Sequence, residues 1–208
     1  MLSTDFADLD PPAAAQRLLG ATLRAEEVAV RIVEVEAYGS DRNGPWPDSA
    51  AHSYPGPTAR NQVMFGPAGA LYVYLSYGMH FCVNVTCGPD GTAAAVLLRA
   101  GEVIDGLDIA WSRRRTARRE RDLARGPGNF GRALGITLHD YGSRLFDDDS
   151  SLRLELSGPM SFETGPRVGV STEADRHWRF WLPESPAVST YRRSPRASDA
   201  ADTGGSSA

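Results

Sequence analysis

Two stretches of the chain alternate apolar and polar residues strictly enough to be read as strands. In RIVEVEAY, Ile32, Glu34, Glu36 and Tyr38 fall to one side and Val33, Val35 and Ala37 to the other. In LYVYLSYGMHFCVN, Leu71, Val73 and Leu75 face one way and Tyr72, Tyr74 and Ser76 the other. The second alternation breaks at Ser76-Tyr77-Gly78-Met79, where Gly78 can take the positive φ of a tight turn. The result is a hairpin, with Tyr77 and Met79 exposed at its tip and His80 to Asn84 as the return strand.

The remaining pattern fills out a mixed α/β fold. Residues 10–20 read as a helix entered through Pro11 and Pro12 and stopped by Gly20. Ala21–Ala25 and Val28–Tyr38 pair around Glu26-Glu27, and Thr92–Ala100 is a buried strand. Val103–Arg125 reads as a helix and Asn129–Leu134 as a shorter one, while Leu152–Leu156, Val168–Val170 and Trp178–Leu182 add strands. Residues 39–70, rich in Gly, Pro, Asn, Asp and Ser, form a long loop carrying His52 and Arg60-Asn61. The chain of 208 residues is expected to make one domain over residues 1–188, with a polar, Gly/Ser-rich tail from 189 to 208 expected to be largely disordered.

Composition narrows the chemistry. All 22 basic residues are arginine, so no lysine side chain is present to form a Schiff base or a P-loop phosphate contact. Hydrolysis by water directly fits this restriction. With 41% hydrophobic and 23% charged residues the chain is globular, and no apolar run approaches the roughly 20 residues of a membrane span. The acidic N-terminus lacks the marks of a signal peptide, so a cytoplasmic protein is expected. Cys82 and Cys87 suit neither a C-x-x-C pair nor a metal set and read as small buried residues. No metal or other cofactor is implied.

The net charge of -4 argues mildly against a nucleic-acid partner, but the charge is segregated. Arg113 to Arg125 holds seven arginines against Glu120 and Asp122, a local balance of +5, whereas Asp147–Asp149 form a separate acidic run. That basic run is either a solvated helix face or a phosphate-binding surface. Gly126-Pro127-Gly128 lacks the spacing of a nucleotide-phosphate loop, although its backbone amides could meet a DNA phosphate. Carboxylates at Glu34 and Glu36 on one strand face require partners if buried, and Arg99, at the end of an apolar run, is a candidate partner for Glu36. The tyrosine face of the hairpin suits a planar ligand held by stacking, such as a nucleobase.

Read together, RIVEVEAYGSDRNGPWPDSAAHS, ARNQVMFGPAGALYVYLSYGMHFCVNV, AAVLLRAGE, GPGNFGRALGI, RVGV and HWRFWLPESPAVS resemble the alkyladenine-type 3-methyladenine DNA glycosylases from about Leu18 to about Ser189. The resemblance implies a mixed α+β fold, a single compact domain around a curved antiparallel sheet with a protruding DNA-wedging hairpin. It also implies a monomeric, monofunctional base-excision repair enzyme that uses neither metal nor lysine. Its partner is duplex DNA, from which it flips alkylated or deaminated purines and hydrolyses the N-glycosidic bond with water.

Carried over by position, Glu36 is the general base and Arg99 helps to hold its water, with the backbone carbonyl of Val168 a third contact. Tyr38, His52 and Tyr74 sandwich the flipped base, and Asn84 disfavours the guanine amino group. Tyr77, with Met79, wedges into the vacated stack. Arg60, Gly126, Gly128 and Asn129 are candidate phosphate contacts, Asn129 replacing a lysine of the family pattern. Two rivals remain: a carbohydrate hydrolase using Glu34 and Glu36, and a non-catalytic damaged-DNA or RNA binding module.

Overall fold

The computed structural model describes residues 6–197; the part of the expected tail from 198 to 208 lies outside them. Its centre is a long strand, β2 (Ala29–Tyr38), which is buried along nearly its whole length. Along one edge β2 pairs antiparallel with β5 (Ala95–Asp105). Its other edge is shared. The first residues pair with β1 (Thr22–Arg24), and Glu34 to Glu36 pair with β9 (Arg179–Trp181). Beyond β5 come β4 (His80–Thr86) and β3 (Leu71–Ser76), and beyond β1 comes β7 (Arg153–Glu155). The short β6 (Ala124–Arg125) adds to β5, and β8 (Glu163–Gly165) to β9. Every pairing between these strands is antiparallel.

Among the described residues three helices cover the sheet. Helix α1 (Pro11–Leu18) starts where Asp10 accepts the Ala13 amide, and it buries Ala14, Ala15 and Leu18 against β2. Helix α3 (Pro127–Leu134) lies between two positive-φ glycines, Gly126 and Gly135, and packs on β4 and β5. Its approach is close enough to require glycine, because a Cβ at Gly131 would stand 2.5 Å from the Phe81 carbonyl oxygen. Phe130, from the same helix, is fully buried in the core with Leu23, Ile32, Leu98 and Leu123. Among the described residues no helix is long and apolar enough to cross a membrane.

The helix expected over Val103–Arg125 is only α2 (Leu107–Arg113). Val103 pairs with Val30, which keeps β5 extended as far as Asp105, and Gly106 at φ +71 makes the corner. At the other end Arg114 turns inward and donates through Nε to the Leu123 carbonyl, so the basic run wraps a turn instead of lining one helical face. The strand expected over Val168–Val170 is a bend. Gly169 takes φ +73, and the amides of Val168 and Gly169 go to Glu36 and to the Arg192 carbonyl instead of to a neighbouring strand.

The alternation in β2 also slips once. Between Ile32 and Val35 its pairing with β5 passes over Val33 on β2 and then over Arg99 on β5, so within that stretch each strand carries one extra residue and the register is restored; a separate shift at the start of β2 passes over Ile104 of β5. Ile32 is therefore in the core together with Val33, Val35 and Ala37, while Glu34 and Glu36 stay on the opposite face.

Candidate active site

Glu36 is fully buried, and three donors reach its carboxylate. Oε2 accepts from the Tyr38 hydroxyl at 2.9 Å and from Arg99 Nη1 at 3.2 Å, and Oε1 accepts from the Val168 amide at 2.7 Å. Val168 thus touches the carboxylate through its N–H. A carboxylate offers about four acceptor positions, so one remains.

Glu34 contrasts with it. Oε1 accepts from Arg99 Nε at 3.0 Å, Arg179 Nε at 2.7 Å and the Ser189 hydroxyl at 2.9 Å, and Oε2 from the Ser189 amide at 2.6 Å. Four donors converge on it, three of them on Oε1. Arg99 spans both glutamates, and the bulge that passes it over in the ladder sets its guanidinium on their face of the sheet. Burial alone would lower the Arg99 pKa, but Glu36 and Glu34 outweigh burial and hold it above the ordinary arginine value. Burial and then the adjacent Glu36 charge push the Tyr38 phenol well above its usual value, so Tyr38 acts as a donor to that carboxylate.

Ser189, Arg179 and Arg125 complete this layer. Arg179 Nη2 donates to the Ser189 carbonyl and Arg125 Nε to the Val188 carbonyl. The first residues of the expected tail are thereby tied to the glutamates.

Above the carboxylate opens a cleft of about 720 Å³, lined among others by Tyr38, His52, Arg60, Tyr72, Tyr74, Asn84, Arg99 and Val168. Strand β2 supplies Tyr38, β3 supplies Tyr72 and Tyr74, and β4 supplies Cys82 and Asn84. Asn84 is fixed by donating to the Tyr72 carbonyl at 3.0 Å. His52 Nδ1 lies 2.9 Å from the Tyr72 hydroxyl. The imidazole meets the Tyr74 ring edge-on, at 4.6 Å between centroids and 86° between planes, so these two rings do not form parallel walls. Packing, and then the charge of Arg60, lower the His52 pKa, which favours the neutral imidazole. Burial pushes the Tyr72 phenol up to about 12, although Arg60 opposes it.

The loop that brings in His52 is held by three buried polar residues. Asn61 Nδ2 donates to the His52 carbonyl at 2.8 Å and to the Gly56 carbonyl at 3.1 Å. Ser53 donates to the Gly39 carbonyl. Asp48 accepts from the Gly39 and Ala50 amides and from both terminal nitrogens of Arg167. That guanidinium also covers the Tyr38 ring at 4.7 Å, so a fully buried ion pair backs one wall of the cleft. Burial would raise the Asp48 carboxyl, but Arg167 and the two amides outweigh it and hold the carboxyl below its usual value.

Tyr77 and Met79 stand at the tip of the β3–β4 hairpin, 93% and 73% exposed. Tyr77 at φ 49 and Gly78 at φ 69 are the two central residues of a type I′ turn, closed by Met79 N donating to the Ser76 carbonyl. The cleft reaches this tip through Leu75, Ser76 and Tyr77.

Of the residues expected to meet phosphate, Gly126, Gly128 and Asn129 lie at the start of α3, where Asn129 Nδ2 donates to the Arg125 carbonyl and Pro127 reaches the cleft edge. Arg60 lines the same cleft. Its guanidinium lies over the Tyr74 ring, 5.4 Å from the centroid. Sequence reasoning noted Tyr72 on the tyrosine face and Asn61 in the loop without giving either a role, and it missed Asp48, Arg167, Arg179 and Ser189. Only Tyr72 carried a signal, its shared face with Tyr74. Cys82 and Cys87 are both free and buried, Cys82 facing the cleft.

The methylpurine-DNA glycosylase family model matches residues 5–186. A protein of Nocardia farcinica named "Putative 3-methyladenine DNA glycosylase" is 69% identical over 204 residues, covering 97% of this chain and 96% of its own. Proteins carrying the same name in Rhodococcus jostii and Mycobacterium tuberculosis are 61% and 59% identical, covering 92% and 91% of this chain and 86% and 93% of their own. The long match and the high identity agree with the fold: the chain belongs to the methylpurine-DNA glycosylase family.

Proposed function

We propose that this protein is a monomeric, monofunctional glycosylase that flips an alkylated or deaminated purine out of duplex DNA into the tyrosine-lined cleft. There it hydrolyses the N-glycosidic bond with a water that Glu36 deprotonates. One observation carries the choice of Glu36. Of two buried glutamates on one strand face, Glu36 bonds to Tyr38, Arg99 and Val168, all of which line the cleft, whereas of the residues bonded to Glu34 only Arg99 does. Glu36 Oε1, with a single donor, keeps a lone pair to offer a water on that side. Tyr38, Arg99 and Val168 both bond to this carboxylate and line the cleft, so water meets it through them.

Three roles follow. As the sugar develops oxocarbenium character, the ionised Glu36 stabilises it and accepts the proton. Tyr38, Tyr72 and Tyr74 present electron-rich rings to the base, and a cationic methylated purine gains about 0.5–2 kcal/mol from a good contact. His52 and Asn84 supply the polar contacts on which discrimination among neutral bases rests. Tyr77, with Met79, fills the gap left by the extruded base, which offsets part of an unstacking cost of a few kcal/mol. No lysine is present for an imine at the abasic sugar, which supports hydrolysis without strand cleavage.

The carbohydrate-hydrolase rival needs an acid and a base on opposite sides of the scissile bond. Here a single guanidinium bridges the two glutamates, which lie side by side on one face. The test is single-turnover excision of hypoxanthine, ethenoadenine or a methylated purine from duplex oligonucleotides. Glu36→Gln is expected to lose at least about 10²-fold in rate while still binding the DNA. Near-normal excision by the variant removes Glu36 from the role. Tight binding without excision by the wild type makes the chain a damage-binding module instead.

A further inference from the structure

The arginines around and beneath the cleft divide into two kinds. Arg99 is neutralised by Glu34 and Glu36, and Arg167 by Asp48. Arg60 differs. Among the described residues no carboxylate pairs with it, and its guanidinium stands over the face of Tyr74 inside the cleft. Its charge is felt across the site, since it helps to depress the neighbouring imidazole of His52.

From this placement, and on the glycosylase reading above, we infer that Arg60 selects lesions by charge: it disfavours cationic methylated purines relative to neutral ones. The argument has two parts. Any flipped base that stacks on this face of Tyr74 must displace the guanidinium, and that cost is common to all lesions. A cationic purine additionally enters next to an unneutralised positive charge, and a neutral purine such as hypoxanthine does not. Two unit charges about 6 Å apart in a partly solvated site repel strongly enough to change occupancy roughly tenfold. The tyrosine rings favour the cationic base, and Arg60 opposes them. The cleft would then accept both lesion classes at comparable rates.

The experiment compares single-turnover excision of 7-methylguanine, which is cationic in DNA, with excision of the neutral lesions hypoxanthine and ethenoadenine in the same duplex sequence. Wild type, Arg60→Gln and Arg60→Lys are measured. The expected result is that Arg60→Gln raises the rate ratio of cationic to neutral excision by about fivefold or more, while Arg60→Lys, which keeps the charge, leaves it within about twofold. If both substrates slow by one common factor in the Gln variant, Arg60 is only a phosphate contact and the inference is overturned. A ratio that moves equally in both variants also overturns it, because shape and not charge would then be responsible. A wild type that excises none of the three lesions overturns the glycosylase reading itself, and this inference with it.

Discussion

Glu34 and Glu36 are chemically identical and two residues apart, and their difference lies in the donors that fold around them. Period-two alternation placed both on one face, and the charge of Arg99 was expected to serve Glu36. Besides Arg99, the donors to Glu34 come from Arg179 and Ser189, about 150 residues further along, and no local pattern announces such contacts. Asp48 is a similar case, one acidic residue in a Gly/Pro-rich loop with nothing to mark it as buried. Its pairing with Arg167 makes an acid-sensitive anchor. The folded carboxyl lies below the ordinary aspartate value, so the contribution to stability is complete above about pH 4 and is lost as pH falls through the lower folded value. In urea titrations Asp48→Asn is expected to be destabilised by about 3–5 kcal/mol near neutrality, with the gap to wild type closing below about pH 4. A gap independent of pH would mean that the pair does not titrate with unfolding.

At the scale of elements, the hairpin was legible because its alternation and its glycine belong to adjacent residues. The 103–125 segment was not, because its charge pattern suits a helix while Val103 and Arg114 are claimed by the sheet and by the Leu123 carbonyl. The hairpin tip also has a cost. Tyr77 sits at φ 49, a conformation that asparagine or glycine adopts far more easily, and it leaves its ring in solvent. A residue chosen for stability would not be tyrosine. Tyr77→Asn is therefore expected to raise unfolding stability by about 1 kcal/mol while weakening base extrusion, read by a fluorescent base analogue opposite the lesion. Unchanged extrusion would remove Tyr77 from its proposed role as a wedge.

For the whole molecule, the hairpin separates two concavities. On one side is the cleft. On the other, Met79, His80 and Phe81 border a groove of about 690 Å³ that also takes in Arg113, Arg115 and Arg132. Arg113 is already engaged by Glu27 and by the Ala133 carbonyl, whereas Arg115 and Arg132 are exposed. An acidic chain could meet DNA along this surface, since affinity follows local and not net charge. Replacing Arg115 and Arg132 together by glutamine is expected to reduce the slope of log K against log salt by about two. An unchanged slope would leave the groove a solvated surface. The paired irregularities at Val33 and Arg99 bear on how this family can change over time. Each offsets the other, so losing a single codon at either position would slide the rest of β2 by one place against β5 and turn Glu36 toward the core. Losing both would restore the alignment but delete the arginine. Changes of length between Ile32 and Ala100 are therefore expected in the loops and turns that join the strands, and not within this pair.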